Sequence, residues 1–82
     1  MDNNYLFDKD LTLKAKGLLS ILLENDNINS KQELLKYTTD GRDRIDNGIK
    51  ELQTKGYLQI KRQKQKGQSY IYIAYSYPKF LN

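Results

Sequence analysis

The spacing of apolar residues changes period once along this chain, at Gly56. Before it, in RDRIDNGIKELQTKG, Ile45, Ile49 and Leu52 recur at 0, +4 and +7, the narrow stripe of a helix with one buried side. After it the period drops to two. Leu58 and Ile60 alternate with Tyr57, Gln59 and Lys61, and Ile71 and Ile73 alternate with Tyr70, Tyr72 and Ala74. The spacing predicts a helix over 40–55 with Asp40 as its N-cap and Gly56 as its C-cap glycine. It predicts strands over 57–63 and 69–77, with Gly67 supplying the positive φ of the turn between them. A helix running straight into a hairpin leaves few architectures open.

Two helical signals precede this unit. Ala15, Leu18, Leu19 and Leu22 define one buried face of a helix ending at Glu24, with Thr12 as N-cap. Gly17 inside it costs about 1 kcal/mol against alanine, a loss that close approach of another helix would offset. Ser30-Lys31-Gln32-Glu33 is a capping box, in which the Ser30 hydroxyl accepts from the Glu33 amide and the Glu33 side chain reaches back. It opens a short helix over 31–37 with Leu34 and Leu35 inward. Ile28 before it suits a brief strand. Residues 1–10 read as an N-terminal arm carrying Tyr5, Leu6 and Phe7, which either packs or swaps.

The order helix, short strand, helix, turn, helix, hairpin is that of an α+β winged helix-turn-helix fold: three helices with a C-terminal two-stranded β-hairpin wing. Its stripes close one small core, so residues 1–82 are expected to form one domain. A chain of 82 residues buries only roughly 60–65% of its unfolded surface, which places function on the outside. There is no cysteine and no histidine, which removes disulfides, thiolate metal sites and the commonest acid–base and nucleophilic arrangements. KGQS and DGRD lack phosphate-loop spacing, and Asp40, Asp43 and Asp46 do not match a calcium loop. No enzyme, metal or cofactor is expected. The polar start MDNN argues against a secretory leader, and LLSILL is too short to span a bilayer, so a cytoplasmic protein without a membrane partner is expected.

Charge supplies the functional signal. Residues 1–40 carry five lysines against seven acids, a net of −2; residues 41–82 carry nine cations against three acids, a net of +6. The excess gathers in KRQKQKGQ, at the hairpin tip, and along the polar side of the 40–55 helix. That asymmetry points to a polyanion. Asn47 suits a bidentate contact with adenine, and Arg42 or Arg44 one with guanine; Lys50 reaches a phosphate or a base edge. The dipole-positive end of the short helix, at Ser30 and Lys31, offers a phosphate seat. Lys61, Arg62, Lys64 and Lys66 follow the backbone or enter the adjacent minor groove. Ordinary readings stand beside these. Asp40–Arg44, Asp46–Lys50 and Glu51–Lys55 have i, i+4 spacing that stabilises a helix by about 0.2–0.5 kcal/mol per pair. Lysines also protect edge strands. Asp43 and Asp46 repel phosphate, unless Asp46 accepts from a cytosine amino group. The seven tyrosines read first as core and strand packing, with a dimer interface or stacking of single-stranded bases as alternatives.

LTLKAKGLLSILL, SKQELLKYTTDGRDRIDNGIKELQTKGYL and the basic hairpin together resemble a known family. They are similar to the winged helix domains at the N-termini of phage and plasmid replication proteins of low-GC Gram-positive bacteria, the DnaD-like replisome organisers and RepA-type initiators. The likeness runs from about Leu11 to Tyr75 and is most specific in DGRDRIDNGIKELQTKGYL. It implies binding of double-stranded DNA at an origin or operator, with residues such as Arg42, Asn47 and Lys50 facing the duplex. Those proteins usually continue into a second domain, whereas this chain ends at Asn82. The expectation is therefore a small regulator of a mobile element or an accessory to a larger replication or regulatory protein, with a homodimer left open. The rival reading is a protein-interaction module that uses the hairpin and the tyrosine-rich strand.

Overall fold

The computed structural model describes residues 4–25, 28–63 and 69–79. A single 3-10 turn, Asn4–Phe7, leads into α1 (Leu13–Glu24), α2 (Lys31–Leu35) and α3 (Arg42–Thr54). Strands β1 (Leu58–Gln63) and β2 (Ser69–Ala74) then pair antiparallel. The architecture is α+β, three helices with a two-stranded antiparallel sheet. Gly67, the expected turn residue, lies outside the described residues.

Each helix starts where its side chains cap it, with one exception. Thr12 caps α1 by accepting from the Ala15 amide at 3.1 Å. Ser30 caps α2 by accepting from the Glu33 amide at 3.2 Å, and its hydroxyl sits 3.4 Å from the Glu33 carboxylate, so the box closes through the hydroxyl itself. α2 stops at Leu35, two residues short of the expected end. For α3 the expected cap was Asp40, but the N-cap is Gly41, which has no side-chain cap bond. Asp40 is used otherwise. Its amide donates to Thr38 Oγ1 at 3.0 Å in a tight turn, and its carboxylate turns towards Arg44, 3.7 Å away. Gly56 ends α3 with φ 87°, the left-handed conformation that favours glycine.

The core gathers Ala15, Leu18, Leu19 and Leu22 from α1, Leu34 from α2, and Ile45, Ile49 and Leu52 from α3. Tyr57 and Leu58 close it from the hairpin side. Tyr5 and Leu11 cover it from the start of the chain, so the N-terminal segment packs on its own domain. Two polar ties reinforce the packing. The Tyr5 hydroxyl lies 3.0 Å from Ser20 Oγ, and the buried Tyr57 donates its hydroxyl to Asp8 Oδ2 at 2.7 Å.

Helix α1 meets α3 at a glycine, though not the expected one. Nothing lies within 4 Å of where a Gly17 side chain would stand, so no helix approaches there. The close approach is at Gly48, which is buried on α3; a methyl group there would meet Leu18 Cδ2 at 2.9 Å. A second link crosses the same pair of helices. Glu51 accepts from the Thr12 amide at 2.7 Å and from its hydroxyl at 2.9 Å, so its carboxylate serves the positive end of α1 rather than Lys55.

The strand expected at Ile28 does not form. Ile28 is buried, and the next residue does the bonding: Asn29 Oδ1 accepts from the Tyr72 amide at 3.1 Å. A side chain thus satisfies the outward N–H of β2 that a third strand would have paired. Within the hairpin, Leu58 faces Ala74, Ile60 faces Tyr72 and Arg62 faces Tyr70; Ile60, Tyr72 and Ala74 pack on the core. Ile71 and Ile73 therefore occupy the outer face, opposite Lys61 and Gln59. Past β2, the Tyr75 amide donates to the Tyr57 carbonyl at 2.9 Å, and the Lys79 amide to the Gly56 carbonyl at 2.7 Å.

The two helix glycines separate under substitution. Gly17→Ala, exposed and unobstructed, is expected to stabilise the fold by about 0.5–1 kcal/mol through helix propensity, raising the melting temperature by about 2–8 °C. Gly48→Ala must displace Leu18 in the core and falls below Gly17→Ala in the same thermal melts. The Tyr57–Asp8 bond gives a pH signature. Asp8 is held below its ordinary 3.8, first by the Tyr57 hydroxyl and then by the Asp10 amide. That contribution is present above pH 3.8 and is lost as pH falls through the lowered folded value. Tyr57 is pushed from 10.0 up to about 12, first by burial and then by Asp8, so the fold also loses stability as pH rises through that window. Tyr57→Phe is expected to flatten a plot of melting temperature against pH at both ends.

Candidate nucleic-acid interface

The burial of Ile45, Gly48, Ile49 and Leu52 leaves the opposite side of α3 to solvent. Asp43, Asn47, Lys50 and Thr54 are all exposed there, as the period requires. The two flanks of this face differ. Arg42, Asp46, Lys50 and Gln53 follow one another down one flank; Arg44, Glu51 and Lys55 line the other. Arg42 and Arg44 are both exposed but point about 160° apart around the axis. Only Arg42 shares a flank with Lys50.

Lys31, at the first position of α2, reaches across to Asp46 with its ammonium 2.8 Å from Oδ1. The pair is partly exposed, the two side chains at 43% and 30%. Oδ1 itself is shielded from solvent and has no aligned hydrogen-bond donor, so the ammonium is its ionic partner. Asp46 is held below its ordinary value, foremost by Lys31, against the cost of its own burial, with Arg42 and Lys50 adding to the effect. The expected Asp46–Lys50 pair is thus replaced by one between helices. Lys31 and Asp46 also stand close enough to the Tyr72 hydroxyl to act on its ionisation; burial, the larger influence, raises it. The start of α2, the Arg42 flank of α3 and the inner face of the hairpin therefore meet around one ion pair.

Ser30 does not offer an open seat for phosphate. Its hydroxyl is committed to the cap, and Glu33 sets a carboxylate beside it. On β1, Lys61 and Arg62 are both exposed and project from opposite faces of the ribbon. Arg62, with Tyr70 opposite, extends the inner face towards the tip; Lys61 stands outside beside Ile71. Lys64 and Lys66 lie outside the described residues.

The tyrosines divide by role. Tyr5 and Tyr57 are core residues. Tyr75 and Tyr77 form a local cluster at the base of the hairpin, ring centroids 6.1 Å apart, with the Lys79 ammonium 5.0 Å from the Tyr75 ring and the Tyr75 hydroxyl donating to Gln59. Tyr70 and Tyr72 are the two on the inner face, beside the cations. Alternation alone does not reveal this, because the parity of β2 is set by its register with β1. The tie of Lys31 to Asp46 left no sequence signal, as the two residues are fifteen apart and on different helices.

On the Arg44 side, Leu13, Gly17, Ile21, Leu34, Tyr37 and Ile45 line a groove of about 230 Å³ between α1 and the start of α3. Among the described residues no group of acids gathers as a metal site, and no helix is long and apolar enough to cross a membrane. No protein-family model, curated protein or solved structure matches this chain.

Proposed function

We propose that this protein binds double-stranded DNA as a winged helix-turn-helix domain. In this reading α3 enters the major groove and the basic hairpin follows the phosphate backbone. The observation that carries it is the meeting of α2, α3 and the hairpin around Lys31–Asp46, beside Tyr72. It joins the exposed cations of α3 to those of β1 across one surface rather than scattering them. Helix α3, at about 1.5 Å per residue, is roughly 20 Å long, enough to lie along a groove about 12 Å wide. Asn47 addresses adenine and Arg42 addresses guanine, Arg44 being on the far flank. Lys50, Lys61, Arg62, Lys64 and Lys66 neutralise phosphates. A role in replication initiation or in transcriptional control of a phage, plasmid or other mobile element is the biological setting that goes with the resemblance of the sequence.

A second reading draws on the outer face of the hairpin. Ile71 and Ile73 are turned away from their own core, and Tyr77 is half exposed. That face suits a protein partner, which would make the molecule an adaptor or an inhibitor of a nucleic-acid enzyme. Salt separates the two, because phosphate binding weakens steeply with ionic strength and an apolar protein interface does not.

Titration of random duplex and single strands by fluorescence anisotropy at several salt concentrations tests the proposal. Five phosphate contacts give a slope of log K against log salt of about −4 to −5 on duplex. A flat dependence, or preference for single strands, would reject it. After selection of a preferred sequence, Asn47→Ala is expected to erase preference at one base pair, at a cost of about 1–3 kcal/mol there. Equal loss on every sequence would remove Asn47 from base reading. Neutralising Lys64 and Lys66 together is expected to weaken all duplexes alike and flatten the slope by about two.

A further inference from the structure

Lys31 is a cation on the proposed DNA surface, yet its ammonium is already occupied. It sits 2.8 Å from a carboxylate oxygen that water does not reach and that has no aligned donor. For Lys31 to reach a phosphate it must leave Asp46. The carboxylate would then remain partly buried beside a polyanion, with Arg42 and Lys50 on its flank themselves drawn to the duplex. Leaving such a charge without its partner costs more than a new exposed contact returns.

We propose that Asp46 withholds Lys31 from phosphate, so that Lys31 adds nothing to the protein's grip on random duplex. This rests on the DNA-binding reading above and makes Asp46 a positioning residue that acts through Lys31. Release of Lys31 requires another donor for Asp46. In the major groove, base edges supply such donors only as the amino groups of cytosine and adenine. A duplex presenting one of them opposite Asp46 frees Lys31 for the backbone, and one presenting guanine O6 or thymine O4 does not. Base identity at one position thereby controls one phosphate contact. The acid on the binding surface sharpens discrimination by keeping non-specific affinity low.

Salt titrations of the full chain on a random duplex test this with two variants and the parent. Asp46→Asn removes the charge that holds Lys31, and binding is expected to tighten with a slope steeper by about 0.9, the increment of one phosphate contact. Lys31→Met is expected to leave the slope of the parent unchanged, because that lysine was not in use. An unchanged slope in Asp46→Asn, or a flattening by about 0.9 in Lys31→Met, overturns the proposal. Parent protein that binds no duplex at low salt sinks the DNA reading itself, and this inference with it. The two failures are thus distinguishable, since only the second touches the parent. Circular dichroism melts of both variants confirm that folded protein is compared; the partly exposed site makes loss of fold unexpected for either.

Discussion

The approach of α1 to α3 at Gly48 is the constraint on which the rest of the molecule depends. With no side chain on α3 at that point, Leu18 comes to within 2.9 Å of the position a methyl would take. The contact fixes the rotation of α3 about its own axis, and that rotation decides which residues remain outside. Turn the helix by one residue, about 100°, and Asn47 would move from the centre of the exposed face towards the core. The Glu51–Thr12 bonds lock the same rotation from the other end of the contact, one turn further along. Packing alone would tolerate some sliding, whereas two hydrogen bonds from one carboxylate do not.

The acids near and on α3 illustrate how far formal charge departs from the field a partner meets. Asp40 turns back on Arg44, Asp46 on Lys31 and Glu51 on the start of α1. Only Asp43 stands exposed on the helix face without a described ion-pair partner, and its place in the first turn favours the helix dipole. The objection that acids repel phosphate therefore applies with force to one residue of the helix. Balanced against this, Lys31 and Arg44 are themselves engaged. The cations left for a polyanion are those of the Arg42–Lys50 flank and of the hairpin.

Most of the fold was legible because it is written locally. The stripes of α1 and α3, the Thr12 and Ser30 caps and the Gly56 stop depend on residues within one or two turns of each other, and the chain states them directly. What escaped was settled by distant partners. Gly17 and Gly48 look alike in sequence, and only the docking of the helices tells which one is crowded. Asp40 reads as a cap until Thr38 and Arg44 compete for it. Asp46 and Glu51 each had a lysine at the favourable helical spacing, yet both chose partners elsewhere, since a tertiary bond to a partly sheltered group outweighs an exposed pair within a helix. In the hairpin, the greasiest residues of β2 face outward because register, and not hydrophobicity, sets parity. The candidate surface was legible as a list of cations and an asparagine; its division into two flanks was not.

The return of the chain to Gly56 has a mechanical effect. With the Lys79 amide on the Gly56 carbonyl and the Tyr75 amide on the Tyr57 carbonyl, both legs of the ribbon are anchored at the end of α3. The ribbon is then a cantilever, stiff at its root. Six residues of strand give it an arm of about 20 Å, so a tilt of α3 by only 5° sweeps the far end by nearly 2 Å, roughly half the spacing of two residues along a strand. Small adjustments of the helix are amplified at the distal lysines, and a load applied there is felt at the helix terminus.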